Sequence, residues 1–249
     1  NYALTRGSFK TPGRGYENIV SGYTTEEIGK LFVHTTDDGK AVRGYQVWSQ
    51  HSTLVPQGGA SGDGFGKWMV AYNQTFAVSA PEANGNMGAV YIFNGTLRSW
   101  TQLQKLIASD ASADSRFGKR MYLNKNRLVI AAEGADGISS ELVGQNEYEW
   151  TPDPSKSKAG TVYIFERAHE GAHFSQVSKL YPSDSNSNSF FGENVVTRGD
   201  TAVVSSRNDD EPISDTAHPE NTGAAYVFRQ LAGAWSQQQR IIAKDFRLN

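Results

Sequence analysis

The chain has no cysteine among its 249 residues, which excludes a disulfide framework, a thiolate metal cluster and a cysteine nucleophile. Secreted domains of this size often carry disulfides. A large one buries enough surface to do without them, so the absence leaves the compartment open. Long apolar runs are missing, and none approaches the roughly 20 residues of a membrane helix. Helical periodicity is missing too; Thr24 to Ile28 makes one turn at most. There is no basic excess: the net charge is −2 and the pI about 6.2, which argues against a nucleic-acid surface. No Gly-x-Ser-x-Gly elbow, phosphate-cradling glycine loop or zinc spacing occurs, so no enzyme class is signalled. The chain starts at Asn1 without a visible signal peptide, as a processed protein or an excised fragment would.

A tract written three times is what the chain does have. Phe65-Gly66 is followed by Thr75-Phe-Ala-Val-Ser-Ala-Pro81, Gly88-Ala-Val-Tyr-Ile-Phe93 and Trp100-Thr-Gln-Leu-Gln-Lys-Leu106. The same order recurs after Phe117-Gly118, with Gly160-Thr-Val-Tyr-Ile-Phe165, and after Phe191-Gly192, with Gly223-Ala-Ala-Tyr-Val-Phe228. The periods are 52 residues (117 − 65) and 74 residues (191 − 117). The excess of 22 falls on the polar stretch Ile138 to Lys158, and removing it equalises the two. A period this long built of short strands predicts an array of β-sheets. In Ala89 to Phe93, Val90 and Ile92 face one way while Ala89, Tyr91 and Phe93 face the other. Both faces are apolar, as in a sheet packed between two others. The recurring aromatics are therefore read as core, and the glycines after each phenylalanine as points of close backbone approach.

A fourth, worn copy is expected upstream, with Gly15 to Val20 as its opening, Leu31 to Thr35 as second strand, Gly44 to Trp48 as third and Ser52 to Val55 as fourth. On that phase residues 1–14 form an arm or spare outer strand, and the repeats run over about 15–60, 61–112, 113–186 and 187–245.

These residues resemble the FG-GAP repeat family, whose members form β-propellers. Phe-Gly, then a strand ending in small residues, then Gly-x-x-Tyr-x-Phe and Trp-x-Gln-x-Gln-Lys-Leu are similar to its non-integrin branch, found in large secreted or surface proteins and some fungal lectins. The resemblance covers roughly 15 to 245 and implies an all-β propeller-type array of about four four-stranded blades. That array would be a four-bladed ring, a piece of a longer one, or an open set completed by a partner. Two departures stand out. The Gly-Ala-Pro element survives only as Ser79-Ala-Pro81, and the integrin calcium loop is absent, so bound calcium does not carry over.

Candidate sites are sparse. The insertion places Glu147, Tyr148, Glu149, Trp150 and Asp153 together, as a sugar- or protein-binding loop does; the alternative is a decoration packing Trp150 on the next blade. Asp209, Asp210, Glu211 and Asp215 are a calcium candidate, set against a solvated turn whose carboxylates cap backbone N–H groups. His169 and His173 flank a turn but have no counterparts in the other repeats. Asn73 and Asn94 head N-glycosylation sequons. The expected role is a non-catalytic extracellular or cell-surface structural or adhesive protein, with a protein or glycan partner. One form of it is a filament subunit linked by exchange of the N-terminal arm. The alternatives are a lectin with sites between blades and a polysaccharide-active enzyme with carboxylates converging in the channel.

Overall fold

The structure, a computed structural model, describes residues 2–6, 31–36, 48–96, 99–142, 148–184, 186–209 and 222–243. The first strands are β1 (Tyr2–Arg6), β2 (Leu31–Thr36) and β3 (Trp48–Leu54). Then come β4 (Met69–Tyr72), β5 (Thr75–Ala80), β6 (Ala89–Thr96) and β7 (Ser99–Leu106). The third set is β8 (Arg120–Leu123), β9 (Arg127–Ala132), β10 (Gly137–Leu142), β11 (Tyr148–Asp153), β12 (Thr161–Glu166) and β13 (Ser175–Leu180). The last is β14 (Phe191–Arg198), β15 (Thr201–Ser206), β16 (Ala224–Leu231) and β17 (Ala234–Ile242).

Three four-stranded antiparallel meanders result, β4-β5-β6-β7, β8-β9-β12-β13 and β14-β15-β16-β17, here sheets 2, 3 and 4. Sheet 1 is the three-stranded β1-β2-β3, and β10 with β11 forms a separate hairpin. Neighbouring sheets meet through their first strands, β4 against β8 and β8 against β14. The all-β array of four-stranded repeats is thus present in sheets 2 to 4, while closure into a propeller ring is not seen among the described residues.

Sheet 1 departs from the expected phase. Its β2–β3 pairing shifts register between Val33 and His34, as β6–β7 does between Ile92 and Phe93. Leu31 faces Leu54 as Val90 faces Leu106. So β2 and β3 correspond to third and fourth strands, and β1, which pairs Leu4 with Val33, corresponds to a second strand. The segment expected as a spare outer strand pairs with β2 at the edge of its own chain's sheet 1. The physical reason is the bulge: an extra residue on one strand fixes which pair of strands is which, and strand composition alone does not.

Strands two and three of sheets 2 and 3 are buried almost throughout, whereas in sheet 4 alternate residues are buried. Every residue of β5 is buried, and so are the five from Ala89 to Phe93. The two faces of β6 separate as the alternation predicts. Val90 and Ile92 pack with Phe117, Leu128 and Ile130 of sheet 3, whereas Ala89, Tyr91 and Phe93 pack with Leu54 of sheet 1.

The Phe-Gly pair is the joint between sheets. Each phenylalanine ring points into its own sheet's face and meets a tyrosine and a phenylalanine of the third strand edge-on. Phe65 lies 5.5 Å from Tyr91 and 6.1 Å from Phe93; Phe117 lies 5.3 Å from Tyr163 and 5.9 Å from Phe165. Phe191 repeats this at 5.5 and 5.9 Å with Tyr226 and Phe228. Edge-to-face contact sets the positive ring edge on a negative ring face and fixes the angle as well as the distance. The backbone of the same residue turns to the preceding sheet. Phe117 N–H donates to Met87 O at 3.0 Å and Phe191 N–H to Ala159 O at 2.8 Å. That approach leaves no space for a side chain at Gly88 or Gly160. A Cβ on Gly88 would sit 2.2 Å from Phe117 O, and one on Gly160 2.1 Å from Phe191 O, with both glycines at left-handed φ. Gly223 has the same place in sheet 4 and a φ of +74°, but its nearest obstacle is Arg207 O at 3.3 Å.

This contrast is testable by urea unfolding. Gly88→Ala is expected to cost about 2–4 kcal/mol, the left-handed strain plus the displaced joint. Gly223→Ala is expected to cost about 1 kcal/mol, the strain alone. Equal losses at the two positions would remove the joint from the account.

Candidate functional site

Each repeat ties down the loop that enters it with the same set of groups. The tie begins seven residues before the phenylalanine, at Gly58, Asp110 and Asp184. Tyr163 Oη–H donates to Asp110 Oδ1 at 2.9 Å, and Lys179 Nζ lies 2.8 Å from Oδ2. Tyr226 Oη–H donates to Asp184 Oδ1 at 2.8 Å, and Arg240 Nε lies 2.9 Å from Oδ2. In sheet 2 the Gly58 carbonyl stands in for the carboxylate and accepts from Tyr91 Oη at 3.2 Å and Lys105 Nζ at 2.9 Å. A glutamine of the fourth strand adds a second tie. Gln102, Gln176 and Gln237 each accept from a loop N–H, of Gln57, Ser109 and Ser183 respectively. Burial, then the nearby carboxylates, push the Tyr163 and Tyr226 phenols well above their ordinary range.

The expected calcium residue Asp209 is drawn into this network. It is buried, and its Oδ2 accepts from Arg240 Nε and Nη2 at 3.0 and 2.7 Å and lies 2.9 Å from Tyr226 Oη, whose one proton it shares with Asp184. Burial raises its carboxyl above the usual range, against the pull of Arg240 and Tyr226. Asp210, Glu211 and Asp215 lie outside the described residues. Among the described residues no three acidic or imidazole side chains gather as a metal site.

The insertion proves to be an antiparallel hairpin. Tyr148, Glu149 and Trp150 of β11 pair with Leu142, Glu141 and Ser140 of β10, and Asp153 pairs with Gly137. Glu147 lies outside the described residues. Asp153 also caps the following turn, accepting from Ser155 N–H at 3.0 Å and Ser155 Oγ–H at 2.6 Å. Lys156 Nζ donates to Ile138 O at 2.8 Å and ties the hairpin base, where Ile138 is buried. Sheet 2 makes the same connection with one short turn, Ala83–Asn86.

His169 and His173 are exposed, and His169 Nδ1 meets the Glu170 carbonyl at 2.9 Å. Asn73 is exposed, and its Nδ2 donates to Glu170 Oε1 at 2.9 Å. Asn94 is half-buried in β6.

Two clefts lie at opposite ends of the strands, and neither was read from the sequence. One, of about 530 Å³, is floored by the turns at Asn124–Arg127 and Gly199–Asp200. There Arg127 donates to Glu166 Oε1 at 2.6 Å and Gln230 Oε1 at 2.8 Å and lies over Trp235 at 4.9 Å. Arg167 donates to Lys125 O and to Thr75 Oγ1 at 2.8 Å and lies over Phe174. Both arginines join successive sheets, so this end is structural. The other cleft, of about 730 Å³, is walled by sheets 2, 3 and 4. Four ion pairs lie along it: Lys67–Glu82, Lys119–Glu133 at 2.6 Å, Arg120–Glu193 at 3.1 Å and Arg207–Glu193 at 3.4 Å. Neither set of groups brings a nucleophile, a base and an oxyanion donor to one point.

The sheet pattern with its Phe-Gly joints agrees with the comparison to known families. The FG-GAP repeat family profile matches residues 48–93, 100–165 and 174–228. The chain belongs to the FG-GAP repeat family. Each matched stretch opens on Trp48, Trp100 or Phe174 of a fourth-strand segment and closes on Phe93, Phe165 or Phe228 of a third strand. No curated protein matches the chain. The matched stretches are FG-GAP repeats, and among the described residues no cluster of metal-ligating side chains accompanies them.

The tyrosine ties set a pH limit. A phenol whose folded pKa is raised contributes its full stability below the unfolded value near pH 10 and loses it as pH rises past that. Urea stability of the native chain is therefore expected to fall above about pH 10. Tyr226→Phe is expected to flatten that fall while lowering stability at neutral pH by about 1 kcal/mol. Breaking the buried pair by Arg240→Met is expected to cost about 3–5 kcal/mol at pH 7, since Asp209 is left buried and uncompensated.

Proposed function

We propose that this chain is a propeller-type sector that serves as an adhesive module at a cell surface or in the extracellular space, and that it contacts a protein partner through the β10–β11 hairpin. The observation that supports this is the hairpin's position as an unrepeated element in a repeated scaffold. Sheet 2 closes the same connection with a single turn, so the β10–β11 hairpin is not needed to build the sheet. Additional ordered backbone, anchored at Asp153 and Lys156 and carrying Tyr148 and Trp150 at alternate positions, suits recognition. Asn73 and Asn94 are proposed as glycan acceptors of the secreted form. Strand exchange has no part in the proposal, because Tyr2–Arg6 pairs with β2 of its own chain.

The test is a hairpin-tip deletion. Replacing Glu141 through Glu149 by Asn-Gly leaves Ser140 opposite Trp150, the closing pair of a two-residue turn. The variant should keep the native circular dichroism and melting profile. The labelled native chain should bind intact cells of the producing organism and lose that binding when the cells are treated with protease, and the variant should not bind. Binding that survives protease but not periodate would point to a glycan. Equal binding by the variant would refute the hairpin's role.

A further inference from the structure

The 730 Å³ cleft carries an inference independent of the hairpin. Its size is that of a small-ligand site. Consecutive sheets supply its walls, so it exists only once the joints have formed. We propose that this cleft binds an acidic saccharide, one bearing carboxylate or sulfate groups.

Charge is the first observation. Lys67, Arg116, Lys119, Arg120, Lys158 and Arg207 line the cleft, against Asp114, Glu133 and Glu193. The lining is net positive by 6 − 3 = 3, on a chain whose net charge is −2. Lys67, Lys119, Arg120 and Arg207 are engaged by glutamates. Arg116 and Lys158 meet no carboxylate among the described residues and are exposed. Both sit at left-handed φ, 56° and 54°, where a side chain is seldom placed by local preference. Joint hydrogen bonds hold them there. Arg116 N–H donates to Asn86 O at 2.8 Å, and Phe190 N–H donates to Lys158 O at 3.2 Å. These bonds hold the backbone of both residues at the rim of the cleft.

The second observation is an unmet need for donors. Glu133 has a side chain 6% exposed, with Oε1 taken by Lys119 and Oε2 buried and without a hydrogen-bond partner. Glu193 Oε2 is likewise buried and unpartnered by hydrogen bond, with Arg207 3.4 Å away. Buried acceptors of this kind take a donor from outside the chain, an ordered water or a ligand hydroxyl that replaces it. The third is Trp68, 37% exposed, whose ring is covered on one side by the Arg120 guanidinium at 3.9 Å.

One chemistry answers all three. Acid groups pair with Arg116 and Lys158, hydroxyls donate to the glutamate oxygens, and a sugar C–H face covers the indole. A bare anion supplies the first alone. An acidic peptide supplies the first and lacks the dense hydroxyl donors.

The experiment is calorimetric titration of the full chain with tetragalacturonate and with a heparin-derived tetrasaccharide, which separate carboxylate from sulfate. The fully methyl-esterified galacturonate oligomer and tetraglutamate are the controls. Binding of at least one acidic sugar is expected, weakening as salt rises. The neutral ester and the peptide are expected to bind about tenfold more weakly or not at all. The Arg116→Gln/Lys158→Gln variant, which removes no internal ion pair, should fold normally and bind about tenfold more weakly. The hairpin-tip deletion should bind like the native chain. Failure of both acidic sugars to bind, equal binding of the neutral ester or of tetraglutamate, or unchanged affinity in the double variant would each overturn the proposal.

Discussion

The architecture depends on one residue doing two things at a single backbone position. Phe117 and Phe191 each send their ring into their own sheet and give their N–H to the sheet before. Neither partner can be withdrawn without exposing a fully buried aromatic and orphaning a backbone donor. The glycines on both sides follow from this. Gly118 lies against Ser79 and Val90 of the earlier sheet, and Gly88 accepts the backbone of Phe117. Because each joint links only adjacent sheets, stability in such an array is a sum over sheets and the contacts between neighbours. The matched stretches of the family profile run from a fourth-strand segment through the joint to the next third strand. The recurring unit thus straddles two sheets, with the joint inside it.

The fold was legible in the sequence where repetition made it so. Three aligned copies of Phe-Gly and Gly-x-x-Tyr-x-Phe define three meanders and their buried strands, and the alternation of Val90 and Ile92 with Tyr91 and Phe93 assigns the two faces correctly. The worn copy misled, because its strands were matched by composition. Trp48 to Leu54 aligns with Trp100 to Leu106, but only the bulge at Val33 and His34 makes the phase plain. The insertion was legible as an added element, since its 22 extra residues break the period, and it holds the β10–β11 hairpin. The tyrosine ties were missed, although Asp110 and Asp184 stand at equal distances before their phenylalanines. The signal was in the alignment, and Gly58 hid it by substituting a carbonyl for a carboxylate. The basic cleft was beyond reach. Lys67, Lys158 and Arg207 are scattered in sequence and meet only because three sheets stack.

Repeated and unrepeated groups divide the labour. Groups that recur, the ring triads and the tyrosine and glutamine ties, hold the array. Of the groups that occur once, Arg127 and Arg167 share that duty, and others are free of it. The hairpin adds no strand to the sheets, and Arg116 and Lys158 take part in no internal pair among the described residues. Recognition is therefore sought in what the period does not explain.

The charges beside the joints are the same in sheets 2 and 3, Lys67 with Glu82 and Lys119 with Glu133, and are reversed in sheet 4. Sheet 3 places Lys119 after its Phe-Gly and Glu133 after its second strand, while sheet 4 places Glu193 and Arg207 at the corresponding positions. Arg120 of sheet 3 reaches Glu193 of sheet 4. Were another copy of sheet 3 to follow instead, the same guanidinium would confront a lysine. Tandem look-alikes are prone to docking out of turn while they fold. The inversion at sheet 4 gives Arg120 an attractive partner there and would set it against a second copy of sheet 3.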